Sequence, residues 1–366
     1  MRAHALLLIV AAAVATGCSS VMPGAVTSDH KPFDYAHPPC AHSVGDAADK
    51  ADIRYLGTGG VFLGWRGSAV LFGPFFTNPP LLANLIGNFR HDRARIAAHL
   101  RDLPLAGVRA IVTGHSHYDH FGDVPVVASE HATAAAIYTN TTGVAMLAPY
   151  PSLRERVHAV RVDEPFTIRD TSGTAVMRIR PVASDHAPQV CCSRRWPCNI
   201  SSCQVREPWI SGFESHALRD FCGGDTFAYV VDLLDARGAV AFRLYYNDSA
   251  PEAPLGVPAP DGMPYDVAIL TIASYHHVHG YPEAVLRAIR PRHVLLTHYE
   301  DFFSKSEGRW HFVALLTEAR AKRFVERMLQ TGAIEGGLEP EQPVCGAAGI
   351  GWTMPVPGEQ ARFRAR

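Results

Sequence analysis

The sequence predicts an α/β fold in which β-sheets lie between layers of helices. Short apolar runs bounded by turn residues occur on both sides of the middle of the chain, and segments with helical periodicity are interleaved with them. Neither an internal repeat nor an interdomain linker is visible, so one large domain is expected.

The predicted strands begin early in the chain and continue well past its middle. They cover residues 52–56, 61–65, 68–72, 110–113, 175–182, 227–234, 240–246, 267–272 and 293–297. Gly57-Thr58-Gly59-Gly60 separates the first two strands, and Asp235-Ala236-Arg237-Gly238 separates two later ones. Hairpins are therefore expected at both places.

Four segments are predicted to be helical. They cover residues 81–100, 133–138, 282–289 and 310–330. The third opens on proline, which the first turn of a helix favours. The fourth is the longest amphipathic stretch, with Leu316 and Phe324 among its apolar positions.

Composition indicates an ordinary globular protein. The chain has 366 residues, of which 47% are hydrophobic, so it can bury a large core. The formal net charge of -1 provides no basic field for a polyanion, so no nucleic-acid partner is expected and a nuclease is disfavoured.

The first eighteen residues are predicted to be a processing segment. Arg2 precedes an apolar run over residues 5–15, which is too short to cross a hydrocarbon core of ~30 Å. Ala15-Thr16-Gly17-Cys18 resembles a bacterial lipoprotein signal box. Export is therefore predicted, with a lipidated Cys18 anchoring the protein to a bacterial membrane that faces the periplasm or exterior. Residues 19–45 would be a flexible tether, and plain secretion is the alternative, because Ala15 replaces the usual Leu.

Cysteine usage agrees with export. Thiols outside the cytoplasm oxidise, so disulfides are expected, and a second metal site is the alternative. Five of the eight cysteines cluster, at Cys191, Cys192, Cys198, Cys203 and Cys222. They define a Cys-rich insertion over residues 188–224, which is predicted to be either a lid beside the functional site or a stabilising staple away from it.

The most informative motif is the run His115-Ser116-His117-Tyr118-Asp119-His120. It follows the predicted strand 110–113 directly. Neutral imidazole and carboxylate are preferred ligands of zinc and similar ions, and a loop at the end of a buried strand holds ligands rigidly. A catalytic metal site is predicted here; a solvated histidine-rich loop is the alternative.

Three later strands each end near another potential ligand. His186 follows strand 175–182, Asp248 follows strand 240–246, and His298 follows strand 293–297. These residues should meet at one edge of a sheet, at the same site as the histidine motif.

This series of residues resembles the metal ligands of the metallo-β-lactamase fold superfamily, over about residues 52–330. The resemblance implies an αββα sandwich of two mixed β-sheets flanked by helices, in a domain over residues 46–335 followed by a C-terminal tail over 336–366. It implies two zinc ions, or other divalent metals, at one edge of the sandwich. The first ion would be held by His115, His117 and His186, the second by Asp119, His120 and His298, with Asp248 bridging both.

One position departs from the family. An early strand of the family usually ends in an Asp, within Asp-Pro-Phe, whereas this chain has Gly73-Pro74-Phe75. That Asp generally supports a ligand rather than binding metal, so its loss affects the tuning of the site.

A pair of divalent ions predicts hydrolysis by a metal-bound hydroxide. Asp119 would bind metal and hydrogen-bond the nucleophile, so it is a predicted catalytic residue. His279 is a second candidate, as a substrate contact; a polar loop without function is the alternative.

The predicted function is an exported dinuclear zinc hydrolase. The His-Tyr-Asp-His core and Thr297-His298-Tyr299-x-x-Phe302 resemble the lactonase and N-acylphosphatidylethanolamine phospholipase D-like branches. A phosphodiester or lipid-derived small molecule is therefore the first expected substrate, and a lactone or ester is the second. Asp248 disfavours β-lactamase activity, and a non-catalytic metal-binding lipoprotein is the alternative outside enzymes.

Overall fold

The computed structural model describes residues 50–80, 87–188, 203–303, 312–313, 316–341, 347–349 and 351–366. The predicted leader, its Cys18 and the tether lie outside these residues. So do Cys191, Cys192 and Cys198 of the Cys-rich insertion.

Fifteen strands are present in the described part of the chain. They are β1 (Lys50–Gly57), β2 (Gly60–Trp65), β3 (Ser68–Phe72), β4 (Val108–Val112), β5 (Ala136–Thr139), β6 (Val157–Ala159), β7 (Phe166–Arg169), β8 (Ala175–Ser184), β9 (Thr226–Leu234), β10 (Val240–Asn247), β11 (Val267–Thr271), β12 (His293–Thr297), β13 (Ala347–Gly349), β14 (Trp352–Met354) and β15 (Gln360–Arg364).

These strands form two mixed sheets. The first has the order β15-β1-β2-β3-β4-β5-β6, and the second has the order β13-β14-β12-β11-β10-β9-β8-β7. In the first sheet β3 to β6 run parallel, and in the second β10, β11, β12 and β14 run parallel. The other neighbouring pairs are antiparallel.

The helices of the described residues are mostly short. They are α1 (Arg93–Leu100), α2 (Tyr118–Phe121), α3 (Val124–Val126), α4 (Thr141–Met146), α5 (Glu283–Ile289) and α6 (Glu318–Gln330), and a π-turn over Val127–His131 continues α3. Single 3₁₀ turns lie at Leu105–Gly107, Pro151–Arg156, Phe213–Ser215, Leu218–Asp220 and Tyr275–His277. No helix among these residues is long and apolar enough to cross a membrane.

The two sheets pack face to face, and helices cover their outer faces. Alternate residues of β1 and β2, such as Ile53 and Leu63, share one core cluster with Leu244 of β10 and Phe324 of α6. Phe62, which points to the opposite face of β2, belongs to a second cluster with residues of α1 and α2. The predicted αββα sandwich is confirmed.

Several predicted boundaries are wrong. Residues 133–138 were predicted to be helical because alanines favour helix, yet Ala136–Thr139 forms β5 between β4 and β6. The last long helix begins at Glu318, capped by Thr317, rather than at residue 310. Of the predicted helix 81–100, only Arg93–Leu100 is helical among the described residues.

The segment 336–366 is not a tail. Its strand β15 pairs with β1 in the first sheet, and its strand β14 pairs with β12 in the second. β14 has only three residues, and β15 alternates apolar and polar residues without an apolar run, so neither is visible as a strand in the sequence. Their partners lie far away in the chain. Part of the fold therefore depends on the residues after 335.

Candidate metal centre

The histidine motif occupies the turn between β4 and α2. The strand ends at Val112, and the loop 113–117 leads into the four-residue helix Tyr118–Phe121. His117 has an extended backbone and is the N-cap of α2, whereas Asp119 and His120 lie within it. This change from strand to helix directs several polar side chains to one place.

The other three predicted ligands come from one edge of the second sheet. Strands β8, β10 and β12 run in the same direction, because β9 is antiparallel to both β8 and β10 and because β10 to β12 are parallel. His186, Asp248 and His298 each follow the end of one of these strands. The structure thus brings all seven predicted ligands together.

The seven residues form three overlapping groups, within each of which the potential ligand atoms lie within 4.8 Å of one another. The groups are His115, His117 and His186; His115, His120 and Asp248; and Asp119, His120 and His298.

The first group is a triangle of imidazole rings. Each pair among His115, His117 and His186 has ring centroids 4.8 Å apart. The Nδ1 of His186 lies 2.6 Å from the carbonyl oxygen of Ala187. Since a carbonyl can only accept, Nδ1 carries the proton, and Nε2 is left with a free lone pair.

The Asp119 group has the spacing of a tetrahedral metal site. Nε2 of His120 lies 3.1 Å from Nε2 of His298. Each of these nitrogens lies 3.5 Å from Oδ2 of Asp119. Ligands about 2.0–2.1 Å from a tetrahedral zinc ion are about 3.3 Å apart, so an ion would fit between these three atoms.

Asp248 lies between the group of His115, His117 and His186 and the group of Asp119, His120 and His298. Its Oδ1 is 3.2 Å from Nδ1 of His115, and its Oδ2 is 3.6 Å from Nδ1 of His120. Oδ2 also accepts a hydrogen bond from the Gly114 N–H at 3.2 Å. A Cβ at Gly114 would collide with this carboxylate, so glycine is required there.

Buried nitrogens without partners show that this donor set fits a metal. His115 Nε2 and His117 Nε2, both in the first group, are buried and make no hydrogen bond within the described structure. Buried polar atoms are normally paired, because an unpaired one costs about 1–3 kcal/mol. Imidazole and carboxylate in this arrangement suit zinc or a similar divalent ion.

Burial sets the protonation of most of the rings. It lowers the pKa of His120 to about 3 and that of His186 to about 4, and it holds the pKa of His117 well below the usual histidine value. Burial also acts on His115, but the carboxylate of Asp248 more than offsets it and raises the pKa. For Asp248, burial is outweighed by His115 and His120, and the pKa falls to about 2. A neutral ring is the form that binds metal.

A buried carboxylate supports the backbone of His298. Glu300 accepts hydrogen bonds from the Tyr55 hydroxyl at 2.5 Å and from the Thr58 N–H. The Tyr55 hydroxyl in turn accepts from the His298 N–H at 2.9 Å. His298 has a φ of +54°, in the left-handed region that non-glycine residues rarely adopt. Tyr55 and Glu300 thus hold a candidate ligand in a strained conformation.

Gly73, where the family usually has an Asp, lies beside His120. A Cβ at this position would be 3.4 Å from Nδ1 of His120, the same nitrogen that has no hydrogen-bond partner. A carboxylate here would therefore lie beside His120, whereas the carboxylate of Asp248 lies 3.6 Å from this nitrogen.

The remaining predicted residues lie around the site or away from it. Asp119 is in the ligand cluster, whereas His279 is exposed and follows the turn Tyr275–His277. His276 pairs with Arg320 of α6 at 2.9 Å. Asp185 is exposed and accepts from the His186 N–H at 2.8 Å, as a turn residue does.

The described part of the Cys-rich insertion packs against α2 and against the loop 113–117, which is called the ligand loop below. Cys203 and Cys222 form a disulfide, as expected for an oxidised pair. The ring of Phe213 lies 5.6 Å from that of Phe121, the last residue of α2. The Ser116 N–H donates to the carbonyl of Gly223 at 2.9 Å. Residues 203–224 thus lie against the helix and loop that carry ligands.

The residues that support the ligands were not predicted from the sequence. Asn140, Tyr55 and the Gly223 carbonyl contact the ligand segments, and Glu300 holds Tyr55. No motif distinguishes any of these residues. Only the run of glycines at 57–60 gave an indirect indication, because Gly59 has a φ of +75° and would place a Cβ 3.0 Å from the His120 ring.

The arrangement of two mixed sheets between helices, with this cluster at one edge, is the metallo-β-lactamase fold. No model of a known protein family matches the chain, and no curated protein matches it in sequence.

Solved structures do match it. Igni18, a novel metallo hydrolase from the archaeon Ignicoccus hospitalis, is similar with a TM-score of 0.50 and 13% identity, over 87% of this chain and 100% of that one. An isothiocyanate hydrolase from Delia radicum gut bacteria gives 0.45 and 14%, over 86% and 100%. A possible metal-dependent hydrolase from Veillonella parvula gives 0.44 and 13%, over 86% and 98%.

Proposed function

We propose that this protein is a metal-dependent hydrolase that uses two divalent cations, zinc by preference, on a phosphodiester or lipid-derived substrate. One observation carries the proposal: seven imidazole and carboxylate side chains meet at one edge of the sandwich, and several of their buried nitrogens have no partner. A scaffold without metal would have no reason to bury these groups unpaired.

The residues divide into two sets of ligands with Asp248 between them. His115, His117 and His186 would hold one cation, and Asp119, His120 and His298 would hold the other. When bound, the two cations would acidify a shared water molecule and stabilise charge that develops on the attacked group. Asp119 is 8% exposed, so it can also accept a hydrogen bond from that water.

Aromatic side chains beside His298 support a substrate with an apolar part. The ring centroid of Phe302 lies 5.3 Å from that of His298. The rings of Phe303 and Tyr118 pack against the Phe302 ring, with centroid distances of 4.5 and 6.4 Å. Phe302 is buried, whereas Tyr118 and Phe303 are partly exposed, and these two rings would contact the acyl or alkyl part of a lipid-derived phosphodiester. A lactone or ester with a similar apolar part is the second candidate. His279 is proposed as a contact of the distal part of the substrate, since it is exposed.

Export and membrane anchoring through Cys18 are part of the same proposal. They rest on the leader-like residues 1–18, and the disulfide between Cys203 and Cys222 supports an oxidising compartment. Labelling with a radioactive fatty acid, compared between the native chain and Cys18→Ser, tests the anchor: incorporation only into the native chain supports it.

Metal content and turnover test the hydrolase together. The purified chain is analysed for bound metal and assayed with bis(p-nitrophenyl) phosphate, a lactone and a cephalosporin. About two zinc ions per chain are expected. Cleavage of the phosphodiester should be lost in His117→Ala and kept in His158→Ala, whose side chain is exposed and outside the cluster. A chain that holds no metal and cleaves none of the three would refute the enzyme and leave a non-catalytic binding protein.

A further inference from the structure

Asn140 has a buried side-chain amide that hydrogen-bonds to Ser116 of the ligand loop. It directly follows β5 and is fully buried. Its Oδ1 accepts hydrogen bonds from the Gly143 N–H at 2.7 Å, which caps α4, and from the Ser116 hydroxyl at 2.5 Å. Ser116 lies between His115 and His117. One side chain thus joins the start of a helix to the loop that carries two candidate ligands.

The amide nitrogen of Asn140 binds a second segment. Its Nδ2 donates to the carbonyl oxygens of Gly223 at 2.6 Å and Asp225 at 2.7 Å. Carbonyls only accept and the Gly143 N–H only donates, so these partners fix the orientation of the amide. Every hydrogen-bonding position of the side chain is used.

The segment 223–227 also pairs with the ligand loop directly. The Ser116 N–H donates to the Gly223 carbonyl at 2.9 Å, and the Phe227 N–H donates to the Gly114 carbonyl at 2.8 Å. Gly224 has a φ of +64°, and a Cβ there would lie 2.8 Å from Nδ2 of Asn140. Only glycine allows this close approach, so the contact between the two segments is specific.

The disulfide fixes the start of this segment. Cys222 directly precedes Gly223 and is linked to Cys203, which is 19 positions away in the sequence. Between them, the Trp209 N–H donates to the Ala145 carbonyl of α4 at 3.1 Å. The crosslink therefore restricts the chain that presents the Gly223 carbonyl, and it does so next to the helix that Asn140 caps.

We propose that Asn140 and the Cys203–Cys222 disulfide position the loop 114–117 for metal binding, by fixing the Gly223 carbonyl against Ser116. Asn140 is a positioning residue, because it touches neither metal nor substrate. The inference rests on the proposed metal centre. Losing an outer partner of a metal ligand typically lowers metal affinity by about 10–100-fold, and a comparable loss is expected here.

Asn140→Ser separates the two functions of the side chain. Serine remains a good N-cap, so the cap of α4 is kept, but it is too short to reach the carbonyls of Gly223 and Asp225. Zinc affinity is measured by competition with a chromogenic chelator on the full chain, and the melting temperature of the metal-free chain is measured in parallel. The expected result is a loss of zinc affinity of at least about tenfold in Asn140→Ser and in the pair Cys203→Ser and Cys222→Ser.

Two further variants keep the test decisive. Thr317→Ala removes the cap of α6, away from the ligand loop, and should lower the melting temperature without changing zinc affinity. Ser116→Ala removes one hydroxyl only, and it replaces Asn140→Ser if that variant does not fold. The absorption spectrum of bound cobalt(II) should change in the variants that touch the ligand loop and not in Thr317→Ala.

Unchanged zinc affinity in Asn140→Ser and in the cysteine pair, with only the melting temperature lowered, would overturn the proposal. A native chain that binds no zinc would overturn it together with the metal centre, and this outcome is recognised before any residue is changed.

Discussion

His120 and His298 are 178 positions apart in the sequence, yet their Nε2 atoms lie 3.1 Å from each other. One ring belongs to α2, which follows β4 of the first sheet, and the other follows β12 of the second sheet. Two imidazole nitrogens at this distance need either a shared proton or a cation between them. With Asp119 at 3.5 Å from both, a divalent cation satisfies all three groups.

Substituting His298 should therefore remove one metal ion and leave the other. In His298→Ala, metal content should fall by about one ion per chain, because His115, His117 and His186 are unaffected, and hydrolysis should fall by at least about 100-fold. Metal analysis and the phosphodiester assay measure both. His276→Ala is the control, since His276 pairs with Arg320 instead. An unchanged metal content would show that His298 is not a ligand.

Gly73→Asp should strengthen the site around His120. The Cβ of the new side chain would lie 3.4 Å from Nδ1 of His120, which has no hydrogen-bond partner, so the carboxylate attached to it would be close to this nitrogen. Asp tolerates the φ of +44° better than most residues. The affinity for the cation held by Asp119, His120 and His298 should rise by about tenfold. Gly73→Asn is the matched control, with the same shape and no charge. Equal affinities of the two variants, measured by chelator competition, would contradict a role for the carboxylate.

The link between Tyr55 and Glu300 should contribute strongly to stability. Burial and the Glu300 carboxylate raise the pKa of Tyr55, so its hydroxyl stays protonated and donates to Glu300. Urea unfolding should show a loss of about 2–3 kcal/mol in Glu300→Gln and about 1–2 kcal/mol in Tyr55→Phe.

The double variant should lose less than the sum, because both changes break one network. Tyr281→Phe breaks a single buried bond to the Thr271 carbonyl and serves as the reference. Additive losses in the double variant would show that Tyr55 and Glu300 act separately.

Mild acid should destabilise the protein through His293. Burial lowers the pKa of this histidine to about 4, against 6.5 for an exposed ring. The unfolded chain therefore takes up the proton first, so the stabilising contribution is complete above pH 6.5 and is lost as the pH falls towards 4. The loss amounts to at most about 3 kcal/mol.

His293→Gln removes this titration while keeping a polar group near Thr353, whose hydroxyl lies 2.9 Å from the native ring. The unfolding free energy of the metal-free chain, measured at pH 7.5 and 4.5, should fall less in the variant than in the native chain. Identical decreases would assign the acid sensitivity to other groups.

The seven candidate ligands could be predicted from the sequence because they follow the ends of strands. These strands are apolar runs that can be recognised in the sequence. β3 and β12 were predicted with their observed bounds. The supporting residues could not be predicted in this way. Asn140 lies 24 positions from Ser116, and Glu300 lies 245 positions from Tyr55, so no local pattern encodes these contacts.

The wrong predictions have a related cause. Helix propensity favoured a helix over residues 133–138, but pairing with β4 and β6 on either side makes Ala136–Thr139 a strand. The strands after residue 335 are three to five residues long. β13 and β14 have three residues each, and three of the five residues of β15 are polar, unlike the apolar runs of β3 and β12. Such strands form because partner strands are available to them.

The pairing of β15 with β1 also determines when the protein can finish folding. Ala51 pairs with Phe363, so β1 gains one of its two neighbours in the first sheet from residues that are synthesised much later. Contacts this distant in sequence slow folding, because a long loop must close before they form. Until β15 has emerged from the ribosome, one side of β1 presents unpaired backbone groups to neighbouring chains. Strand β1 is therefore open to pairing with another chain until β15 has been synthesised.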